Sequence, residues 1–142
     1  MAESLPKELE LIIVTPDRQV VRDKVSSVSI PGKAGYLGIL PGHAPLLSEL
    51  APGQLSYSEA QGTAFFTVTW GFAEVLPERV IVLANTAERA GEIDVERAER
   101  AKQRAEERLK KLSDPEIDQE RAREALRRAI ARIETARHAN PS

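Results

Sequence analysis

The spacing of apolar residues along the chain changes once, near residue 87. Before that point, runs rich in Val, Ile, Thr and aromatic residues are interrupted by Pro, Gly and Asp, a pattern that predicts short strands. Because no helical segment separates these runs, they indicate an all-β sandwich of about ten short antiparallel strands. The runs that we interpret as strands are residues 8–14, 20–30, 36–40, 54–60, 63–76 and 79–84.

Two pairs of these strands are predicted to form hairpins. Gln61 and Gly62 separate one pair, and Pro77 and Glu78 separate the last pair. Residues of these types favour tight turns, so each pair is expected to lie side by side and antiparallel.

After residue 87 apolar residues recur every three or four positions, the period of an amphipathic helix. Asp94 is the predicted N-cap of a first helix. Residues 113–115 interrupt the pattern, and Pro115 is predicted to lie in the first turn of a second helix. The short break predicts an antiparallel helical hairpin, whose alanine-rich seams predict marginal stability on its own. The two apolar stripes are Ala98, Ala101, Ala105, Leu109 and Leu112, and then Ala122, Leu126, Ala129, Ile130 and Ile133.

Composition changes at the same place. All six aromatic residues and seven of the eight glycines precede residue 87, whereas residues 88–139 carry 14 basic and 13 acidic side chains and no aromatic ring. The first part can therefore build a packed core and the second can bury little apolar area. We predict two domains, a β-sandwich at residues 1–87 and a helical hairpin at residues 88–142.

Overall charge and residue usage exclude several classes of protein. The net charge of −2 supplies no general attraction for nucleic acid. The lack of cysteine excludes disulfides, thiolate metal sites and cysteine nucleophiles, and two isolated histidines, His43 and His138, are too few for a metal cluster. The chain shows no targeting segment and no apolar run of about 20 residues. We expect a soluble chain that can still be a peripheral part of a membrane complex.

Catalytic signatures are also missing. The sequence contains no GxSxG, HExxH, GxxxxGKS or GxGxxG string. His43, Ser48 and Glu49 are hydrolase residue types, but their spacing does not support a catalytic triad. We interpret His43 as a loop residue that packs or caps a turn, and we predict no catalytic and no metal-binding residue. An enzyme of unknown type is the third hypothesis.

Arginines of the helical part are candidates for anion binding. Arg97 and Arg104 are seven residues apart on one helix, and Arg128 and Arg132 are four apart on the other, so each pair shares a face. Converging guanidinium groups suit a polyphosphate or an acidic protein partner. The alternative is an ordinary solvated surface with ion pairs Glu96–Arg100 and Glu124–Arg128, which the charge pattern alone favours.

Two motifs resemble those of a known family. Residues 35–47 read GYLGILPGHAPLL and residues 71–75 read GFAEV. These stretches, and the order of elements from end to end, resemble the epsilon subunit of bacterial F-type ATP synthases. The resemblance implies a non-catalytic rotor subunit that couples proton translocation to ATP synthesis, peripheral on the cytoplasmic face of the bacterial cell membrane. It implies contacts with the gamma subunit and the c-ring, with Gly42, His43, Ala44 and Pro45 as the rotor contact loop.

The same resemblance implies a regulatory hairpin. In that family the hairpin folds against the sandwich or extends along gamma to the catalytic beta and alpha subunits, where it inhibits ATP hydrolysis. Residues 93–98, IDVERA, are similar to the family's ATP-binding motif, although the turn at residues 113–116 is one residue longer than the family pattern. No cofactor is required, and ATP is implied as a regulatory ligand. The implied contacts are Glu88 and Asp94 on the adenine side and Arg97, Arg104, Arg128 and Arg132 on the phosphates. A free-standing ATP-binding sensor module is the alternative function.

Overall fold

The computed structural model describes residues 6–111 and 113–139, and their architecture is a β-sandwich followed by two helices. The predicted fold class is confirmed, with eight strands in the described residues because β7 and β8 are long and unbroken. The strands are β1 (Leu9–Val14), β2 (Gln19–Val25), β3 (Ser27–Gly32), β4 (Gly35–Ile39), β5 (Leu46–Leu50), β6 (Gly53–Glu59), β7 (Gly62–Leu76) and β8 (Arg79–Arg89). The helices are α1 (Val95–Lys110) and α2 (Gln119–Ala136), with 3₁₀ turns at Ala90–Glu92 and Arg137–Ala139. β8 continues two residues past the division at residue 87, which itself stays a prediction.

The strands form a continuous sheet in the order β2-β1-β8-β7-β5-β3-β4, and β6 pairs with both β3 and β7. β1 runs parallel to β8, and the other pairings are antiparallel. β7 pairs with β8 from Phe66 to Leu76, while its other edge pairs first with β6 and then with β5. β7 therefore belongs to both layers of the sandwich, and the side chains between the layers form one apolar core that includes Leu11, Ile30 and Phe66.

β7 changes partner at Trp70 and Gly71. Trp70 has a φ of 39° and Gly71 a φ of 134°. A Cβ atom on Gly71 would lie 1.9 Å from the carbonyl oxygen of Leu83 on β8. Only glycine fits here, because both the backbone conformation and the close approach of β8 exclude a side chain.

Both predicted hairpins are confirmed, since Glu59 pairs with Gly62 and Leu76 pairs with Arg79. The prediction of one strand over residues 20–30 is wrong, because β2 and β3 are separated at Ser26. The Ser26 N–H and hydroxyl both donate to the carbonyl oxygen of Ser58, at 2.8 and 3.1 Å. β5 was not predicted from the sequence, because its Leu46 and Leu47 are exposed and do not alternate with polar residues.

The hairpin begins as expected. The Asp94 carboxylate accepts the N–H of Arg97 at 3.1 Å, which confirms the N-cap of α1. Both helices bury alanines, Ala98 and Ala105 on α1 and Ala122 and Ala129 on α2. Leu112, the last residue of the first predicted stripe, lies outside the described residues.

The predicted start of the second helix at Pro115 is wrong. α2 begins at Gln119, where Asp118 accepts the N–H of Arg121 at 3.1 Å as N-cap. Asp114 instead accepts the N–H of Glu116 at 2.9 Å and closes a separate turn. Asp118, four positions after Asp114, is therefore the residue that caps α2, and Pro115 lies in the loop between the helices.

Candidate functional site

A groove lies between strands β7 and β8 of the sheet and the helical hairpin, with a volume of about 710 Å³. The helices contribute arginines and alanines, and β7 and β8 contribute an aromatic ring, hydroxyl groups, an amide and a carboxylate. Its volume is within the range of small-molecule sites, about 300–1,000 Å³. We call it the arginine groove, and its lining residues are Thr69, Trp70, Asn85, Thr86, Glu88, Arg97, Ala101, Arg104, Ala105, Arg108, Ala122, Ala125, Arg128, Ala129 and Arg132.

The structure brings together five of the six residues predicted to contact ATP. Arg97 and Arg104 enter from α1, Arg128 and Arg132 enter from α2, and Glu88 enters from β8. The longer turn between the helices has not separated Arg104 from Arg128. Asp94 is the exception, because it caps α1 and does not line the groove.

Glu88 and Arg132 are paired with each other. Arg132 Nη2 donates to Glu88 Oε2 at 2.8 Å, and Nε lies 2.8 Å from Oε1. Both side chains are less than a third exposed. A carboxylate therefore already occupies one guanidinium group of the groove, in the way that a phosphate oxygen would.

The other arginines of the groove carry no such partner. The predicted ion pairs Glu96–Arg100 and Glu124–Arg128 do not form, since the ion pairs within 4.0 Å in residues 6–111 and 113–139 involve other side chains. The two predicted ion pairs are therefore absent from the described residues, whereas the alternative of a solvated surface stays a prediction, because Arg97 and Arg104 are exposed. Among the groove arginines of the described chain, only Arg132 has a carboxylate within that distance, so the groove holds an excess of positive charge.

A few polar and aromatic contacts hold α2 against the sheet. The Thr67 hydroxyl donates to the carbonyl oxygen of Ala131 at 3.4 Å, and the His138 ring stacks on Phe65 with 3.6 Å between centroids. The Thr135 hydroxyl is fully buried and has no hydrogen-bond partner within the described part of the chain. An unpaired buried hydroxyl costs about 1–3 kcal/mol, so this interface is weaker than its burial suggests.

The predicted rotor contact loop lies beside the turn that joins β7 to β8. The Gly42 N–H donates to the carbonyl oxygen of Pro77, at 2.7 Å, which fixes the loop to the β7–β8 turn. The His43 N–H donates to Leu40 O at 3.1 Å, and its ring Nδ1–H donates to Ala44 O at 2.7 Å. His43 therefore caps a turn, and the Ser48 hydroxyl bonds to the carbonyl oxygen of Glu49 at 3.1 Å instead of to His43. Ala44 and Pro45 are exposed.

Three large apolar side chains are exposed on neighbouring strands. Leu47 on β5 is 68% exposed, Phe72 on β7 is 48% exposed and Leu83 on β8 is 54% exposed. Phe72 and Leu83 are directly opposite each other in the β7–β8 ladder. An apolar cleft of about 500 Å³, lined in part by Val14, Pro16 and Leu83, adjoins them. Contiguous exposed apolar surface of this kind is typical of a protein interface.

Neither α1 nor α2 is long and apolar enough to cross a membrane. Within residues 6–111 and 113–139, no three histidine or acidic side chains are grouped closely enough to hold a metal ion.

Several groove residues were missed by the sequence analysis. Arg108 is four residues beyond Arg104, so the same face periodicity that indicated Arg104 could have found it. No sequence pattern indicated that Trp70 and Asn85 line the groove. Their positions there depend on the bend of β7 and on the extension of β8 beyond residue 84, where the predicted strand ended.

The chain is similar in sequence to known proteins over both the β-sandwich and the helical hairpin. The family model described as ATP synthase, Delta/Epsilon chain, beta-sandwich domain matches residues 8–90, and that of the long alpha-helix domain matches residues 92–137. The ATP synthase epsilon chain of Koribacter versatilis is 57% identical over 107 residues, 75% of each chain. That of Desulforudis audaxviator is 53% identical over 136 residues, 96% of each chain.

A chain in the cryo-EM structure of the Euglena gracilis mitochondrial ATP synthase, OSCP/F1/c-ring in rotational state 1, has a similar fold. Its TM-score is 0.82, and the match covers 94% of this chain and 84% of that chain. At 24% identity this likeness concerns the fold alone.

Proposed function

Because this chain belongs to the epsilon chain family of bacterial F-type ATP synthases, we propose that it is a non-catalytic central-stalk subunit that couples proton translocation to ATP synthesis. The observation that carries this proposal is the exposed apolar surface of Leu47, Phe72 and Leu83, which a lone domain has no use for. Its proposed partner is the gamma subunit. The loop Gly42–Pro45 is the proposed contact with the c-ring, so the chain would be peripheral on the cytoplasmic face of the cell membrane.

Partner binding tests this proposal. The Leu83→Asp variant places a charge at the centre of the apolar surface, whereas Leu40→Asp places one at an exposed leucine outside it. We expect capture of gamma by the parent chain and by the Leu40 variant, and strongly reduced capture by the Leu83 variant. A parent chain that forms no stable complex with gamma would refute the central-stalk role.

The hairpin is proposed to inhibit ATP hydrolysis by leaving the sandwich and reaching the catalytic alpha and beta subunits. Support comes from the attachment of α2, in which one long hydrogen bond, one ion pair and the His138–Phe65 stack accompany the packing of alanines and Ile133, and the buried Thr135 hydroxyl has no partner among the described residues. An element held by few contacts can be exchanged between two positions. In the assembled complex, removal of residues 94–142 leaves β8 complete, and we expect it to raise hydrolysis while synthesis continues. Unchanged hydrolysis would exclude an inhibitory hairpin.

ATP is the proposed regulatory ligand of the arginine groove, bound without hydrolysis by this chain. Arg97, Arg104, Arg128 and Arg132 are the proposed phosphate contacts, and they line one groove in the docked hairpin. Glu88 is a proposed adenine-side residue. Asp94 is proposed to act by capping α1 at Arg97, whose N–H it accepts. Because residues of both helices and of β8 line the groove, bound ATP would favour the docked hairpin.

Calorimetry on the full chain tests ATP binding. A charge-assisted hydrogen bond contributes about 1.5–3 kcal/mol, so Arg97→Ala and Arg128→Ala should each weaken MgATP binding at least about tenfold. Arg100→Ala is the control, because Arg100 is exposed on α1 outside the groove. Equal affinities in all three variants would count against the site.

A free-standing ATP sensor is the second candidate function. Its support is that one chain supplies every residue that lines the groove. ATP binding by the lone chain together with failure to bind gamma would favour it over the central-stalk role.

A further inference from the structure

Alternate residues of β1, β5, β8 and the second half of β7 point away from the core, and most of them are apolar. They include the exposed leucines and the phenylalanine of the surface proposed to bind gamma. We call this surface the outer apolar face, and its apolar residues include Ile12, Val14, Leu47, Phe72, Ile81 and Leu83.

One carboxylate lies within the outer apolar face. Glu74 of β7 is exposed, and it is directly opposite Leu47 on β5 and Ile81 on β8. Phe72 lies two residues before it on the same side of β7. Apolar side chains therefore adjoin Glu74 on three sides. Because side chains that are directly opposite in a ladder lie about 5 Å apart, a partner that covers Leu47 also covers Glu74.

The other carboxylates on this side of the sheet are paired with cations. Glu10 on β1 lies 3.2 Å from Arg79. Glu49 on β5 lies 3.2 Å from Lys33. In the part of the chain that the structure describes, no basic side chain comes within 4.0 Å of the Glu74 carboxylate. The charge of Glu74 is stabilised by the solvent to which the side chain is exposed.

A partner that covered Glu74 without a counter-charge would bind poorly. A carboxylate that is removed from water loses its hydration, and apolar neighbours do not replace it. A cation on the partner compensates for this loss, and a guanidinium group can also stack on an aromatic ring such as that of Phe72. The partner surface that fits is therefore apolar, with one basic side chain at the position of Glu74.

We propose that Glu74 binds a basic side chain of the gamma subunit within the interface between the two subunits. This assignment rests on the proposed binding of gamma. It adds the chemistry of the partner, whose apolar side chains cover Leu47 and Phe72 while one arginine or lysine pairs with Glu74. A surface that is only apolar, or that places an acid at this point, is rejected, so Glu74 determines which protein binds and in which orientation.

Replacement of Glu74 by leucine separates this proposal from simple apolar attraction. Glu74→Leu makes the face more apolar, but it leaves the basic side chain of gamma buried and unpaired. We expect Glu74→Leu and Glu74→Gln each to weaken the complex of the full chain with gamma about tenfold or more, mainly by faster dissociation. Surface plasmon resonance measures both the affinity and the dissociation rate. Glu59→Gln is the matched control, because it removes one negative charge from β6, which does not belong to this face.

Stability is measured on the same variants. Because Glu74 is exposed and has no ion pair in the described chain, its variants should unfold at the same urea concentration as the parent. A folding defect would then not explain weaker binding.

Two results would overturn the assignment of Glu74 and leave the central-stalk role intact. The first is binding of gamma by Glu74→Leu that is as tight as that of the parent or tighter, as apolar attraction alone predicts. The second is an equal loss of affinity in Glu74→Gln and Glu59→Gln, which would show an effect of net charge. If the parent itself forms no complex with gamma, the central-stalk role fails and the assignment of Glu74 fails with it.

Discussion

Glu88 on β8 and Arg132 on α2 form the only ion pair in residues 6–111 and 113–139 that joins the sheet to the hairpin. Two pairs of atoms lie at 2.8 Å. The pair has two effects that oppose each other. It holds α2 on the sandwich, and it occupies a guanidinium group that a phosphate would otherwise bind.

The first prediction concerns this internal competition. Glu88→Gln removes the negative charge from Arg132 and should raise the affinity for tripolyphosphate about tenfold or more, since a hydrogen bond to a charged group contributes about 1.5–3 kcal/mol. Tripolyphosphate is chosen because it has no base that Glu88 could contact. Glu124→Gln is the control, because Glu124 lies on α2 without an ion pair. Calorimetry that finds equal or weaker binding for Glu88→Gln would contradict the competition.

The second prediction separates the two roles of Asp94. Asparagine caps a helix as well as aspartate does, whereas alanine costs about 1 kcal/mol at an N-cap. We therefore expect Asp94→Ala to lower the free energy of unfolding of the hairpin by about that amount and to weaken MgATP binding. Asp94→Asn should preserve both. If Asp94→Asn binds MgATP much more weakly at unchanged stability, Asp94 contacts the nucleotide directly, as the family resemblance implies.

The third prediction concerns Gly71, where β7 passes between layers. Because a Cβ atom there would lie 1.9 Å from the Leu83 carbonyl oxygen at a φ of 134°, Gly71→Ala should lower the free energy of unfolding by about 2–4 kcal/mol. Gly38→Ala is the matched control, since no atom lies within 4 Å of its added Cβ. Urea unfolding that finds similar stability for both variants would disprove the steric account.

Sequence periodicity predicted the fold class correctly and predicted that four arginines of the groove share helix faces. It could do so because repeating patterns indicate which faces of strands and helices are buried. It failed where one position decides the structure. Both Pro115 and Asp118 are suitable residues for a helix N-terminus, and α2 begins after Asp118. The place of Trp70 in the arginine groove depends on the bend of β7, where Trp70 and the following Gly71 both have a positive φ and β8 approaches Gly71 closely. Contacts between distant strands determine such positions, and a local pattern does not record them.

The fourth prediction concerns alkaline pH and Tyr57. Burial in the core raises the pKa of Tyr57 above its usual 10.0, and the nearby positive charge of Arg89 offsets part of that rise. The unfolded chain therefore loses this proton first as pH increases, so the stabilising contribution is present below about pH 10 and is lost above it. We expect the free energy of unfolding of the parent to fall more steeply above pH 10 than that of Tyr57→Phe. Parallel pH profiles of the two proteins would contradict this prediction.

The central claim is that nucleotide in the arginine groove holds the hairpin against the sandwich. The chain has no cysteine, so single labels can be placed at Gln61→Cys on the β6–β7 turn and Arg100→Cys on α1, both exposed and outside the groove. Distances between these labels should be measured in the assembled complex, with and without MgATP. We expect one short distance with MgATP and an additional longer population without it. A distance distribution that is the same in both conditions would contradict the claim.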